Sequence, residues 1–160
     1  MSPTVAIRLA RASDRDLIFG WRNDPFIVAL GSSQRTVTWE EHSRWFADAL
    51  ASDDRVVYVI ENRGEPIGQV RFDRADSRHA IISIYVLQAW TGKGLGVSAI
   101  RAGSAAILQR WDVDAIVAHV REDNAAGAAG FIKAGFGESA PGPAPPPEHR
   151  TFALARTTDG

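Results

Sequence analysis

The sequence predicts one α/β domain, in which helices pack on a central sheet. Two patterns carry this prediction. The apolar run Ile81–Val86 leads through the glycine loop Thr91–Gly96 into a long helical pattern, and the strand-like run Ala115–Val120 leads through Asn124 into a second helix. Strand–loop–helix units of this kind place helices against the faces of a sheet. With 160 residues and 45% hydrophobic content, the chain can bury one good core, so residues 1–160 are expected to form a single domain.

The first half of the chain combines strands with three helices. Ser13 is a favourable N-cap for a helix that ends before Pro25, and Thr38 with Glu41 forms a capping box at the start of another. The segment Asn62–Glu65 has the composition of a hairpin turn. The predicted elements are a strand at Val5–Ala10, helices from Ser13 to Arg22, at Phe26–Leu30 and from Thr38 to Leu50, and hairpin strands at Arg55–Glu61 and Pro66–Asp73.

The second half alternates strands and helices. Val97, Ile100 and Ile107 recur at helical spacing in the long helix after the glycine loop. Gly135 follows the next helix as an expected terminator, and the segment Pro141–Pro147 is predicted to be a stiff surface loop. The predicted elements are a strand at Ala80–Leu87, a helix at Leu95–Trp111, a strand at Ala115–Val120, a helix at Ala125–Ala134, and final strands at Phe136–Ser139 and Arg150–Ala155.

The charge balance and the absence of cysteine exclude several classes of partner, site and reaction intermediate. Lysine and arginine number 18 against 19 acidic residues, so there is no electrostatic case for a nucleic-acid partner. The N-terminus Met1–Arg8 lacks the apolar core of a signal peptide, and no run is long enough to span a bilayer. We therefore expect a cytoplasmic protein with no membrane partner. The absence of cysteine excludes disulfides, thiolate metal sites and an acyl-cysteine intermediate, and we expect no metal.

The glycine loop has the composition of a phosphate site. Three glycines in six residues let the backbone come close to a ligand, and the loop opens a helix whose first N–H groups can hold a phosphate or pyrophosphate. Lys93 adds a mobile positive charge beside them. A glycine turn without a ligand is the alternative interpretation of this short motif.

The glycine loop and a second motif together resemble the GNAT superfamily of acyl-CoA-dependent N-acyltransferases. The second motif is Asn124, the aromatic Phe131 seven residues later, and then Gly135-Phe136. The family's pyrophosphate loop is usually Arg/Gln-x-x-Gly-x-Gly/Ala. The resemblance extends from Val5 to about Arg156, with two departures. Thr91 stands where Arg or Gln is usual, and Phe131 stands where many members have a catalytic Tyr.

The resemblance implies a fold and a cofactor. The fold is a mixed, mostly antiparallel sheet of six or seven strands, splayed between the fourth and fifth strands, with about four helices on both faces. The cofactor is acetyl-CoA, whose pantetheine arm pairs with the strand end and whose pyrophosphate binds the glycine loop. The residues expected to bind it are Val86, Leu87, Thr91, Gly92, Lys93, Gly94, Leu95, Gly96, Asn124 and Phe131.

His119 is the leading candidate for the catalytic base. Amide formation needs a neutral amine, so a base must accept its proton. His119 lies on a strand beside the expected splay, and an imidazole with its ordinary pKa near 6.5 suits this task. In related N-acyltransferases of the ribosomal-protein type, a Glu twelve residues before the aromatic position is the base, and twelve residues before Phe131 stands His119. A histidine packed in the sheet, or a competing base at His42, is the alternative.

The proton donor for the leaving sulfur is missing from its usual place. Phe131 has no hydroxyl, although a thiol with a pKa near 8.5 is already a tolerable leaving group. Tyr85 and Ser83 lie on the same side of the central strand by alternation, and Tyr85 is the candidate donor. The alternative is that both are ordinary strand residues.

The first half of the chain is similar to a subgroup of GNAT enzymes. Trp21–Pro25 and Trp39–Phe46 resemble segments of acetyltransferases that modify amino-sugar nucleotides, such as the one in pseudaminic-acid biosynthesis. Aromatic faces stack on a sugar or base, and Arg, Asn and His bond hydroxyls and phosphate. The residues expected to bind the acceptor are Trp21, Arg22, Asn23, His42, Arg71 and Ser83.

The sequence is compatible with three functions. The first is an acetyl-CoA-dependent N-acetyltransferase that acts directly on a small primary amine, such as an amino-sugar nucleotide. The second is an acetyltransferase for a protein N-terminus, including that of a ribosomal protein. The third is a catalytically silent acyl-CoA-binding module, which the missing tyrosine keeps open. A homodimer is also left open.

Overall fold

The computed structural model describes residues 4–31 and 33–157. Seven strands form one sheet in the order β1-β2-β3-β4-β5-β7-β6, in which β4 and β5 are parallel and the other neighbours are antiparallel. This arrangement confirms the predicted mixed, mostly antiparallel sheet. The strands are β1 (Ala6–Leu9), β2 (Arg55–Asn62), β3 (Glu65–Arg74), β4 (His79–Val86), β5 (Ala115–Arg121), β6 (Gly137–Glu138) and β7 (His149–Ala155).

Five α-helices connect the strands in the described residues, as the local sequence patterns predict, where the family resemblance implied about four. Thr38 accepts a hydrogen bond from the Glu41 N–H (3.2 Å) and completes the predicted capping box. Within residues 4–31 and 33–157, none of the helices has the length and apolar character needed to cross a membrane. The helices are α1 (Arg15–Arg22), α2 (Pro25–Leu30), α3 (Trp39–Ala51), α4 (Leu95–Arg110) and α5 (Ala125–Lys133).

The start of α1 differs from the prediction. Ser13 lies in a 3₁₀ turn, and Asp14 is the residue before the helix. The Asp14 carboxylate does not cap the helix, because it accepts two hydrogen bonds from the Arg8 guanidinium (2.8 and 2.9 Å) and one from the Arg11 N–H (2.7 Å). This ion pair ties β1 to the beginning of α1.

Helices cover both faces of the sheet and divide the core in two. On one face, α4 and α5 pack over a large apolar cluster that includes the fully buried Phe72, Ile116 and Phe152. On the other face, α1 and α3 pack over a smaller cluster that includes Ile18 and Phe46. Each large apolar side chain buried in this way contributes about 1.5–3 kcal/mol. The sheet is therefore held between two packed layers.

β4 and β5 separate soon after they begin. Parallel pairing joins only His79–Ile81 of β4 to Ala115–Val117 of β5, while β4 stays paired with β3 as far as Val86. In the part of the chain that the structure describes, the edge of β4 that faces β5 has no strand partner beyond Ile81. Unpaired main-chain groups favour a ligand that can bond to them. The predicted splay between the fourth and fifth strands is confirmed.

Gly68 lets β3 come very close to β4 near the open end of the splay. A Cβ atom built on Gly68 would collide with the Tyr85 carbonyl oxygen and would lie 3.0 Å from the Val86 Cα. Glycine in a strand interior often marks such a close backbone approach. β4 is thus held against β3 at the end where it has left β5.

Candidate active site

A cavity of about 400 Å³ opens where β4 and β5 separate. Strands β3, β4, β5 and β7, helix α5 and the segment from the end of α1 to α3 form its wall. The predicted site residues that line it are Arg22, Arg71, Ser83, Tyr85, His119, Asn124 and Phe131. The structure therefore brings both candidate catalytic residues together with some of the cofactor and acceptor candidates.

The cavity reaches both sides of the sheet. On the face that α1 and α3 cover, the strand register places Gln69 and Arg71 of β3, Ser83 and Tyr85 of β4, and His119 of β5. On the opposite face, α5 contributes to the wall. The cavity thus passes through the sheet at the splay.

His119 is partly buried and neutral at pH 7. Its Nδ1 lies 3.0 Å from Oγ1 of Thr151 on the neighbouring strand β7. Burial lowers the pKa of His119 below its ordinary value of 6.5, and the charge of His149 lowers it further. A neutral imidazole is the form that can accept a proton.

Tyr85 stays protonated at pH 7. Its hydroxyl donates to Oε1 of Gln69 (3.2 Å), its cross-strand neighbour on β3. Burial raises the pKa of Tyr85, although the positive charges of Arg22 and Arg71 act to lower it. The phenol therefore keeps the proton that a hydrogen-bond donor or general acid needs.

Arg22 is a partly buried cation that pairs with no carboxylate of the described residues. Its Nη1 donates to Nδ1 of His42 (3.1 Å), and its guanidinium carbon lies 4.3 Å from the ring centroid of Trp45. Burial lowers the pKa of Arg22, and the charge of Arg71 lowers it further. Arginine nevertheless remains charged in proteins.

His42 supports Arg22 and does not line the cavity. It is fully buried, and its Nε2 lies 2.8 Å from the Arg15 carbonyl oxygen. Because Arg22 can only donate and a carbonyl can only accept, the neutral Nε2–H tautomer satisfies both bonds. Burial lowers the pKa of His42, which favours this neutral form. His42 was expected to bind the acceptor, but in this structure its ring lies behind Arg22 and bonds it.

Arg71 faces the same part of the cavity. Its Nε donates to Oδ2 of Asp73 (2.9 Å), and its Nη2 lies 3.4 Å from Oγ of Ser83. Its guanidinium carbon is 5.3 Å from the Trp45 ring centroid. Asp73 is shared with Arg55 (3.1 Å), so it offsets the charge of Arg71 only in part.

Residues Thr91–Gly94 of the glycine loop are exposed, and the backbone is left-handed at two of them. Gly92 has φ +74° and Gly94 has φ +78°, a region that favours glycine. Gly94 gives α4 no side-chain cap, and Ser98 is the first residue whose N–H donates into the helix, to the Gly94 carbonyl (3.3 Å). The N–H groups of the first turn are therefore open to a ligand. The loop lies beside β4 rather than in the cavity wall, since a Cβ on Gly96 would lie 3.9 Å from Val86 Cγ2.

The other cofactor candidates before α4 also lie outside the cavity wall. Leu87 donates its N–H to a β3 carbonyl (2.8 Å), and the Thr91 hydroxyl donates to the carbonyl three residues earlier (2.7 Å). The side chains of Val86 and Leu95 belong to the large core cluster, so only their main chains can reach a ligand. Lys93 is exposed.

Helix α5 presents its N-cap to the cavity. Oδ1 of Asn124 accepts a hydrogen bond from the Gly127 N–H (3.0 Å). A Cβ on Gly127 would lie 2.5 Å from Asn124 Nδ2, so any larger residue there would displace the Asn124 amide. Phe131 is 5% exposed and packs edge-on against Phe136, with ring centroids 5.1 Å apart. It contributes an apolar wall and no proton donor.

Besides His42, two further acceptor candidates are structural neighbours of the site and do not line it. Trp21 is buried and packs edge-on against Tyr85, with ring centroids 6.1 Å apart. Asn23 bonds the Val37 main chain twice, through Nδ2 (3.0 Å) and Oδ1 (2.7 Å). It therefore fixes the segment before α3, of which Val37 does line the cavity.

Some lining residues were not among the predicted site residues: Arg35, Gln69, Arg121 and His149. Gln69 lies two residues from Arg71 on β3, so strand alternation could have identified it. His149 and its neighbour Thr151 reach the site only through the pairing of β7 with β5, which no local pattern indicates. Among the described residues, no three His, Cys, Asp or Glu side chains are grouped to hold a metal ion.

The fold is that of several solved acetyltransferases. The structure of AAC(6')-Ib with ribostamycin and coenzyme A matches with a TM-score of 0.82 at 21% identity, over 96% of this chain and 94% of that one. The structure of the spermidine N-acetyltransferase from Vibrio cholerae with CoA and spermine matches with a TM-score of 0.82 at 16% identity, over 95% of each chain. The structure of the ribosomal L7/L12 α-N-protein acetyltransferase RimL with CoA matches with a TM-score of 0.79 at 17% identity, over 96% of this chain and 95% of that one. At these identities the likeness shows the fold alone.

The sequence itself matches one family description. No curated protein sequence is significantly similar to the chain. The model of the Acetyltransferase (GNAT) domain matches residues 4–137, which run from before β1 to the first residue of β6. This match includes the glycine loop, the splayed strands and α5. The chain therefore belongs to the GNAT acetyltransferase family and is an N-acetyltransferase of that type.

Proposed function

We propose that the enzyme transfers an acetyl group from acetyl-CoA directly to the primary amine of a small molecule, such as an amino-sugar nucleotide. The observation that carries the proposal is the cavity at the splay of β4 and β5, which joins the α5 side of the sheet to the side of α1. The three relatives described above were solved with CoA, which supports acetyl-CoA as the donor. Without cysteine, the acetyl group passes from thioester to amine in one ternary complex.

The donor enters along the free edge of β4. The pyrophosphate binds the first-turn N–H groups of α4, where the helix dipole favours negative charge. The pantetheine amides bond the β4 main chain at Val86. At Leu87 only the carbonyl has a lone pair left, because the Leu87 N–H donates to β3 and the carbonyl already accepts one bond from the Trp90 N–H (2.8 Å). The Asn124 amide NH₂ is available to the same arm, because its Oδ1 is occupied by the helix cap.

His119 removes the proton of the attacking amine. When its Nδ1–H donates to Thr151 Oγ1, its Nε2 carries the lone pair that accepts the proton. The amine nitrogen then bonds to the thioester carbonyl carbon, and the carbon–sulfur bond breaks. The lowered pKa of His119 keeps the base unprotonated at pH 7.

Tyr85 is the proposed donor to the departing thiolate. It shares a sheet face with His119, and its raised pKa keeps the hydroxyl proton in place. General-acid help of this kind contributes about 10²–10⁴-fold. A thiolate also leaves without it, because the pKa of a thiol lies near 8.5.

The acceptor binds on the side of α1 and α2. Arg22, Arg71 and Ser83 line that side and offer donors to hydroxyl, phosphate or carboxylate oxygens. The likeness of the segments Trp21–Pro25 and Trp39–Phe46 to amino-sugar-nucleotide acetyltransferases points to the same class of acceptor.

Release of free thiol from acetyl-CoA tests the acceptor class. The assay compares an amino-sugar nucleotide, the corresponding N-acetylated sugar nucleotide as a blocked control, and peptides with free N-termini. We expect thiol release with the free amino sugar and none with the blocked one. Release with peptides alone would favour an N-terminal acetyltransferase. CoA binding without release on any amine would leave a silent binding module, and either result contradicts the proposal.

The variant His119→Ala tests the base. We expect kcat to fall by about 10²–10⁴-fold, because the amine loses its proton acceptor, while the affinity for acetyl-CoA is unchanged. The matched control is His79→Ala, which removes a histidine that pairs with Asp76 (2.9 Å) and does not line the cavity. Unchanged turnover in a folded His119→Ala protein would remove His119 from this role.

A further inference from the structure

The cavity wall carries positive charge and no carboxylate. Its ionisable groups are the arginines Arg22, Arg35, Arg71 and Arg121, the histidines His119 and His149, and the phenol of Tyr85. No Asp or Glu is among the lining residues of the described chain. The whole chain, by contrast, has 18 basic and 19 acidic residues. The excess of arginine is therefore a local property of the cavity.

The arginines differ in how their charge is offset. Arg121 pairs with Asp123 (3.1 Å), and Arg71 shares Asp73 with another arginine. Arg22 forms no ion pair with a carboxylate of the described residues, and the charge of Glu41 acts on it only from beyond contact distance. A partly buried charge without a partner costs free energy, and the charge of Arg71 raises that cost. An anionic ligand at this point would offset both charges.

Arg22 is held ready for such a ligand. His42 binds one of its N–H groups as a neutral acceptor, which fixes the guanidinium without cancelling its charge. Trp45 supports its face at 4.3 Å. A guanidinium has five N–H donors, so donors remain for two oxygens of one anion. Arg71 approaches the same Trp45 ring (5.3 Å), which brings the two cations to one part of the wall.

We propose that Arg22 and Arg71 form an anion subsite, so that the acceptor is an amine that also carries a phosphate or a carboxylate. This inference rests on the proposed function, because it concerns the acceptor side of the same cavity. The subsite also disfavours polycationic amines. The Vibrio cholerae relative was solved with spermine, and the described residues that line this cavity include no carboxylate to bind such a cation.

The subsite is tested by equilibrium binding, measured by calorimetry on the protein saturated with CoA. The probes are glucosamine, glucosamine 6-phosphate, muramic acid and spermidine, which differ in the phosphate, the carboxylate or the added positive charge. We expect glucosamine 6-phosphate, muramic acid or both to bind at least tenfold more tightly than glucosamine. Spermidine should bind most weakly of the four probes. The stronger of the two anionic probes identifies the anion. The subsite is overturned if glucosamine binds as tightly as the anionic probes, if spermidine binds more tightly than they do, or if neither anionic probe binds.

Variants locate the preference at Arg22. Arg22→Gln should abolish the preference for the anionic probe, and Arg22→Lys should restore part of it, because lysine keeps the charge and loses the fork geometry. Arg44→Gln is the matched control, since Arg44 is exposed on α3 and does not line the cavity. It should leave the preference unchanged.

The same variants separate this inference from two other results. If Arg22→Gln weakens CoA binding and leaves the acceptor preference intact, Arg22 serves the donor and the subsite is wrong. Because these are binding measurements, they do not depend on turnover. An absence of thiol release with every amine would contradict the proposed function, while the order of probe affinities would still decide the subsite. The wild-type order also decides it if Arg22→Gln does not fold.

Discussion

Burial moves the pKa values of His119 and Tyr85 in opposite directions, and both shifts favour the uncharged form at pH 7. Desolvation disfavours the charged form of each group, which is the cation of histidine and the anion of tyrosine. A histidine in this state can accept a proton, and a tyrosine in this state can donate one. The cavity wall therefore supplies one group for each direction of proton transfer.

The lowered pKa of His119 predicts the pH dependence of catalysis. Because the pKa lies below 6.5, the imidazole stays neutral as pH falls from 7 and is protonated only below 6.5. We expect the acid limb of kcat/KM to have its midpoint below pH 6.5 with an acceptor whose amine pKa is known, so that the amine's own titration can be removed. A midpoint above 6.5 would contradict this assignment. The same limb should vanish in the residual activity of His119→Ala.

Single residues differ in how far their place could be predicted. Ser83 and Tyr85 could be placed on one face because strand alternation is regular. Arg71 joins that face only through the pairing of β3 with β4, in which it lies opposite Ser83. The place of His42 could not be predicted, because an inward position on a helix suits a core residue and a pocket residue equally. Its partner Arg22 lies on another helix, twenty positions earlier in the chain.

At the scale of elements, the first turn of α4 carries the prediction about the donor. Gly96→Glu should weaken CoA binding about tenfold or more, because its carboxylate would compete with the diphosphate for the same N–H groups. Acidic residues are favourable in the first turn of a helix, so the variant should fold. Calorimetric titration with CoA measures the effect.

The control for this variant is Gly96→Ala. Its Cβ would meet only Val86 Cγ2, at 3.9 Å, which is an ordinary contact. CoA affinity should therefore change little. Gly94 is less suitable for such a test, since its φ of +78° strains any side chain placed there. Equal CoA affinity in Gly96→Glu and Gly96→Ala would show that the diphosphate binds elsewhere.

Most elements could be predicted from local patterns, and the exceptions depend on distant partners. The capping box at Thr38 and the cap at Asn124 are local, and both are present. The start of α1 was misplaced because Asp14 bonds Arg8 on β1 instead of capping the helix. The contact of Thr151 with His119 depends on the pairing of β7 with β5, across 32 positions of the chain.

At the scale of the molecule, the splay between β4 and β5 joins the two layers of the protein. Under the proposed function, the donor contacts a helix cap and an apolar wall on the α5 side, and the acceptor contacts arginine side chains on the α1 side. Periodicity predicts the elements, but strand order and the splay were expected only from the family resemblance. The charge of the cavity could not be predicted, because its arginines come from α1, the segment before α3, β3 and β5.

The central claim is that the splay holds the thioester beside His119. A crystal structure of the protein with acetyl-CoA bound tests this claim most directly. We expect diphosphate oxygens within hydrogen-bonding distance of the first-turn N–H groups of α4, pantetheine along the free edge of β4, and the thioester carbon in the cavity near Nε2 of His119. A diphosphate bound away from α4, or a thioester outside the cavity, would contradict it.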